Sequence, residues 1–248
     1  HTGGIPEFGR SAGESFGPTG ERDVVDAVTR WSLDPRSFRI GAESIMDAGP
    51  GQHVSGASPV VALLRAVHDA APVPSTLWRG ASAGEEAQRE LQGMKVGATV
   101  DVPLWGASRS KNEAVGHFHG GRPGGVLFQI DGAVGVPVNE YSKISQYAYE
   151  DEWITGGRYK VLSVEQVPAL LPHLRPGSLL AEHFNVPEPP VGVGPDTPIT
   201  IVHLQQVAKF NPDLSPSQNG APSTPIVDQY PRPETPPKRS VWRRLTGR

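Results

Sequence analysis

The feature that most constrains this chain is a change of apolar period. Its first hydrophobic residues recur every three or four positions: Val24, Ala27, Val28 and Trp31 in "ERDVVDAVTRWS", then Val60, Leu63, Leu64 and Val67 in "SPVVALLRAVHDA". That is the spacing of one helix face. Ser58 followed by Pro59 offers the second of these a cap and a first helical residue. From Ser75 the period becomes two. "STLWRG", "ATVDVPLW" with Val100, Val102 and Leu104 alternating, "GGVLFQIDG", "YKVLSVEQV" and "ITIVHLQQV" read as short strands. One helix interrupts them, "SKNEAVGHF", where Ser110 and Glu113 stand at capping-box spacing. Two helices, then strands with a single intervening helix, is an α+β order and argues against a doubly wound parallel sheet. No internal repeat is present.

The chain of 248 residues, 37% apolar and 20% charged, is long enough for one well-buried domain of ordinary soluble composition. A formal net charge of -3 gives no global basic field, so nucleic acid is not expected as a partner from charge. The absence of cysteine excludes disulfides, zinc–thiolate sites and thiol nucleophiles, and leaves the redox compartment open. No apolar run has the length of a membrane span, and residues 1–20 lack the apolar core of a signal peptide. Beginning at His1 without Met, the chain reads as a processed product or a piece of something larger.

The Gly-, Ser- and Pro-rich residues 1–20 read as a flexible lead-in, 21–208 as the domain, and 209–248 as a tail. "VPEPPVGVGPDTP" is a Pro-rich excursion between the last two strands. Eight prolines, from Pro212 to Pro237, make the tail an expected extended, disordered segment. Its end carries Lys238, Arg239, Arg243, Arg244 and Arg248 around Trp242. That composition suits a solvated end, with an acidic partner, a membrane surface or nucleic acid as the contacts it could make.

"AYEDEWIT" places Glu150, Asp151 and Glu152 in a row just before Trp153 and Ile154. On a strand Glu150 and Glu152 would share a face and Asp151 would take the other. Alone this suits an edge strand whose charges discourage pairing. Upstream, "LWRG" ends one strand with Arg79, and "LWGASRS" ends another and runs straight into the capped helix. Taken together and in this order, these pieces resemble the ADP-ribosyltransferase family of the arginine–serine–glutamate type, found in bacterial toxins and vertebrate ecto-enzymes. "LWRG" is similar to its first motif, "SRS" at Ser108–Ser110 to its Ser-Thr-Ser motif, and "EDE" to its Glu-x-Glu motif. The spacings also suit, with 29 positions from Arg79 to Ser108 and 44 from Ser108 to Glu152. Arg109, where Thr is usual, is the visible departure. The resemblance covers roughly residues 21–208.

The resemblance implies helices packed on two small, roughly perpendicular β-sheets with NAD in the cleft between them. Cleaving NAD between nicotinamide and ribose builds a cationic sugar, which needs a fixed negative charge beside it. The family assigns that charge to Glu152, its orientation to Ser108, and the pyrophosphate to Arg79 and the adjoining Gly80. Glu150 would orient and deprotonate an arginine acceptor, so the resemblance implies an arginine-directed enzyme. Phe118 stands where the family places an aromatic on the nicotinamide ring, with core packing as the competing account. Arg122, in "HGGRPGG", stands where a loop touches phosphate and nicotinamide, and Tyr147 and Tyr149 stand where the family's loop presents the protein substrate.

The implied partner is a protein with an accessible arginine, met by a monomer that is secreted or injected. An NAD glycohydrolase using the same residues is the nearest alternative. A non-catalytic module of a larger virion or secretion assembly is the alternative of another class. No metal is expected: His117 and His119 are two apart, off a shared helical face, with no third ligand at metal spacing. "GGRPGG" also lacks the Gly-Lys-Ser/Thr ending of a nucleotide-hydrolase phosphate loop.

Overall fold

The computed structural model of the chain describes residues 7–9, 20–47, 58–142, 151–171 and 190–211. Three helices come early: α1 (Glu21–Leu33), α2 (Pro35–Asp47) and α3 (Pro59–Asp69). α1 and α3 stand where the apolar spacing put them, whereas α2 is additional to the two expected. Its start signal was present in the sequence. Asp34 precedes Pro35, and its carboxylate accepts the Ser37 N–H at 3.1 Å and the Ser37 hydroxyl at 2.6 Å, the work of an N-cap. Phe38, Ala42 and Ile45 then fall on one face and are buried.

The strands are β1 (Glu7–Gly9), β2 (Leu77–Ala81), β3 (Thr99–Ser108), β4 (Val126–Asp131), β5 (Gly135–Pro137), β6 (Glu152–Val167) and β7 (Ile199–Asn211). Short helices α4 (Glu85–Leu91), α5 (Lys111–Val115) and α6 (Val138–Tyr141) lie between them. α5 begins as its capping signal requires, Ser110 Oγ accepting the Glu113 N–H at 3.4 Å. It ends at Val115, earlier than its sequence pattern suggested, because Gly116 follows and the chain turns tightly through His119 at φ 62°. β1 lies inside the stretch expected as a lead-in and pairs in parallel with Lys209–Asn211 of β7.

The architecture is α+β. Strand order is β1-β7-β4-β2-β3-β6-β5, with β6 also paired to β7. The strands fall into two groups, β1-β7-β4-β2 and β3-β6-β5, and hydrogen bonds join the groups along two seams. One is narrow: β2 meets β3 at the single pair Trp78–Ser108. The other is β6 itself, which pairs with β3 over residues 152–160 and with β7 over residues 158–167. Register shifts at Arg158/Tyr159 and Val161/Ser163 mark where β6 changes partner within this continuous ladder, irregularities of the kind at which a strand bends.

Two cores result. Ala27, Val28 and Trp31 of α1, Phe38 of α2 and Leu63 and Leu64 of α3 pack on Leu104, Val136 and Ile154 from the sheet. Leu77, Trp105, Phe128, Ile130, Tyr159, Val161 and Leu204 form the other, enclosed between the strand groups. Fully burying each large side chain here contributes roughly 1.5–3 kcal/mol. β3 serves both cores because of an irregularity between Val102 and Trp105, where Pro103 interrupts the ladder and lies against Gly156. Val102 faces the enclosed core and Leu104 the helical one. In a regular strand these two residues would share a face. The bulge therefore decides that Gly106 and Ser108, in phase with Leu104, look towards the helices.

Candidate active site

Register builds the site. Trp78 of β2 pairs with Ser108 of β3, and Ser108 pairs with Glu152 of β6, so the ends of three adjacent strands bring these residues into one row. Directly paired residues put their side chains on the same face, about 5 Å apart at Cβ. Ser108 is fully buried, and its hydroxyl oxygen accepts the Ser110 N–H at 2.9 Å. That bond fixes the turn from β3 into α5.

The Glu152 carboxylate lies over Gly106. A Cβ added there would sit 2.6 Å from Glu152 Oε1 and 3.4 Å from the Trp31 ring, so the missing side chain is the space the carboxylate fills. From the helical layer, Trp31 Nε1 donates to Glu152 Oε1 at 3.1 Å. Trp31 is itself 1% exposed.

Arg79 leaves β2 on the other face. It pairs with Phe128 of β4, and its guanidinium lies 5.2 Å from the centre of the Trp105 ring. Nε donates to Glu90 Oε2 at 3.1 Å and Nη2 to Glu90 Oε1, a forked ion pair. Glu90, on α4, is nearly fully buried and also takes Arg39 Nη1 at 3.1 Å. Arg79 Nη1 donates to the Gly106 carbonyl at 3.0 Å. Gly106 is thus shared: its backbone oxygen takes Arg79, and its bare Cα faces Glu152. Gly80 packs where a side chain cannot go, since a Cβ there would lie 2.0 Å from the Ala114 carbonyl oxygen and 2.9 Å from the Gly120 nitrogen.

The middle residues of the two motifs also meet. Arg109 Nε and Nη2 donate to Asp151 Oδ2 and Oδ1 at 2.8 and 3.0 Å, and the Arg109 N–H reaches the Asp151 carbonyl at 3.3 Å. Asp151 has φ 47°, and β6 begins only at Glu152. Asp151 therefore stands outside the strand in the left-handed region, not at a regular strand position as the sequence pattern suggested. Glu150, Tyr147 and Tyr149 lie outside the described residues.

Phe118 follows α5 and meets the His117 ring edge-on at 5.1 Å between centroids. Arg122 Nε donates to His119 Nδ1 at 3.1 Å on the same turn. Burial, then the Arg122 charge, holds the His119 imidazole below its ordinary pKa, and burial lowers that of Arg122. Both lie beside Gly120, which packs on Gly80.

Two contributors, Glu90 and Gly106, were not singled out from the sequence, and a third, Trp31, meets a different group from the one the family would give it. Glu90 has no local signal, because one carboxylate on a short polar helix reads as solvated. Trp31, with Ser32, reads from the sequence as a core residue of α1, the family's aromatic near the adenine or phosphates being the disfavoured alternative; the structure sets it against Glu152. Gly106 had a usable mark, since an isolated glycine in a strand signals a close approach. Among the described residues, no group of three His, Cys, Asp or Glu side chains could hold a metal ion, and no helix is long and apolar enough to cross a membrane.

No protein-family model matches the chain, and no curated protein matches it. Solved structures do. Exoenzyme S from Pseudomonas aeruginosa, in complex with human 14-3-3 protein beta and bound to carba-NAD, is similar over 80% of this chain and 80% of its own, at 12% identity and TM-score 0.47. Plx2a, an ADP-ribosyltransferase toxin from Paenibacillus larvae, is similar over 75% of this chain and 86% of its own, at 12% identity and TM-score 0.42. The ADP-ribosyltransferase Vis from Vibrio splendidus, in complex with an inhibitor, matches over 77% of this chain and 78% of its own, at 14% identity and TM-score 0.40.

Proposed function

We propose that this chain is an NAD-dependent mono-ADP-ribosyltransferase that modifies arginine side chains of a protein target. The observation that carries the reading is the direct pairing of Ser108 with Glu152. It joins the two motif residues whose chemistry the reaction needs, with the Glu152 carboxylate held by Trp31 over Gly106. The donor set suits a dinucleotide: a carboxylate fixed by a neutral donor for the sugar, and arginines for the diphosphate.

NAD supplies an electrophilic ribose carbon as the bond to nicotinamide breaks and the bonding electrons leave with the nicotinamide ring. Glu152 sets its negative charge against the positive charge that develops on the sugar and holds a ribose hydroxyl. Ser108 steadies the strand end that carries this carboxylate's partner position. Glu150 receives the proton that the acceptor guanidinium must lose as its nitrogen bonds to the sugar. Arg79 is the residue the family gives to the diphosphate; here it lies on the opposite face from Glu152 and is held by Glu90, so binding it would require the diphosphate to draw it from Glu90, and Arg122 reaches the diphosphate from the turn beside Gly80. Phe118 on that turn packs on the nicotinamide ring, and Tyr147 and Tyr149 meet the target protein. A secreted or injected monomer is the setting in which an enzyme of this kind meets such a target.

The test is incubation with labelled NAD and free arginine, using wild type, Glu150→Gln and Glu152→Gln. Expected are label on arginine with wild type, nicotinamide release without transfer for Glu150→Gln, and loss of both for Glu152→Gln. Nicotinamide release by wild type with no labelled acceptor, arginine or protein, would assign the site to NAD hydrolysis. No NAD consumption and no NAD binding by calorimetry would assign the fold to a non-catalytic module.

A further inference from the structure

We propose that Trp31 is a positioning residue for Glu152, so that the helical layer, through one indole N–H, helps to aim the carboxylate that acts on the substrate sugar. The inference rests on the reading of Glu152 as that carboxylate.

Trp31 is placed by forces unrelated to the site. Ala27, Val28 and Trp31 are the buried residues of α1, and the Trp31 ring meets Phe38 of α2 edge-on at 6.1 Å between centroids. A side chain 1% exposed and held on several sides has little rotational freedom. Its one polar atom, Nε1, lies 3.1 Å from Glu152 Oε1. The contact is selective in three ways. An indole N–H only donates, so it favours a carboxylate oxygen as acceptor and cannot stabilise a hydroxyl oxygen's proton in its place. It carries no charge, so it orients the anion without cancelling the field that the developing sugar cation needs. A hydrogen bond to the ionised form also favours that form. Gly106 completes the slot: any side chain there would push the carboxylate off the indole.

The consequence is a division of labour between the two sides of Glu152. Ser108 pairs with it along the sheet, while Trp31 reaches it from the helices that pack on the sheet. The direction of the carboxylate then depends on how α1 is seated, not on β6 alone.

Trp31→Phe keeps most of the ring in the core and removes the donor. Expected for this variant are a fall in kcat for nicotinamide release of roughly ten- to hundred-fold, the range set by losing a hydrogen bond to a charged group, and a KM for NAD within about threefold of wild type. The acidic limb of the kcat–pH profile should move to higher pH, which lost packing alone would not do. A Trp31→Phe enzyme with wild-type kcat and pH profile overturns the proposal. The second measurement needs no variant at position 31 and no turnover. In ¹⁵N-labelled protein, the Trp31 indole N–H resonance should titrate with pH, and Glu152→Gln should abolish that titration. An indole resonance indifferent to Glu152→Gln overturns the proposal, whether or not NAD is consumed. Wild type that fails to consume NAD while the indole still tracks Glu152 would instead sink the enzymatic reading and leave the contact standing.

Discussion

Arg109 and Asp151 close a forked ion pair, 2.8 and 3.0 Å, between the residue after Ser108 and the residue before Glu152. The pair lies at the open end of the β3–β6 ladder, one position beyond the Ser108–Glu152 match. Arg109 is also where the sequence departs from the motif it resembles, and its partner lies in the third motif. The Asp151 carboxylate and its hydrogen bonds raise the Arg109 pKa despite some burial.

A double-mutant cycle measures what this clasp contributes. Both side chains are about a third or more exposed, 42% and 32%, so solvent screens them and the coupling between Arg109→Ala and Asp151→Ala should be about 0.2–1 kcal/mol by urea denaturation. Raised salt should reduce it. The reversed pair, Arg109→Asp with Asp151→Arg, should recover more stability than either single reversal.

Gly80→Ala should destabilise the fold by about 1–3 kcal/mol, because the added carbon meets the backbone of Ala114 and Gly120 and neither can yield cheaply. Urea midpoints would show it. A variant of unchanged stability with only a raised KM for NAD would mean that Gly80 serves the ligand alone.

Glu90→Ala removes the shared carboxylate of Arg79 and Arg39, leaving two poorly exposed guanidinium groups without it. Breaking a buried pair from one side costs about 3–5 kcal/mol, measurable as a lower thermal midpoint. Glu90→Gln, which keeps the shape, should also bind NAD more tightly in calorimetry if the diphosphate competes with Glu90 for Arg79.

The turn carrying Arg122 should respond to acid. Folding lowers the pKa of His119 below the value of about 6.5 expected for the unfolded chain. The unfolded state therefore binds the proton first. This stability is present above pH ~6.5 and is lost as pH falls through the folded value. Asp131 adds a second, lower step: burial opposes its ionisation, but hydrogen bonds from Thr76 and His203 prevail and its pKa is lowered. Its contribution is present above about pH 4 and disappears on further acidification. His119→Gln should flatten the first slope in thermal midpoints recorded between pH 7 and 5, and leave the second.

Much of the architecture was legible because it rests on short-range patterns. The spacing of Val24, Val28 and Trp31 and of Val60, Leu64 and Val67 can bury only one helix face, and the alternation from Ser75 onward can only make strands. The order of the two settled the α+β class, and Ser110 marked the start of α5. α2 was missed although Asp34 and Pro35 announced its start and Phe38, Ala42 and Ile45 mark its buried face.

The chain's linear order thus determined which residues could be strand ends and which could ionise there. Tertiary structure alone decided what those groups face. A bulge at Pro103 turned Gly106 and Ser108 towards the helices, a single β2–β3 pair put Arg79 on the opposite face, and burial gave Glu90 to Arg79 and Trp31 to Glu152. The physical reason is distance along the chain. Trp31 and Glu152 are 121 positions apart, and local propensity carries no information about a contact that only packing creates.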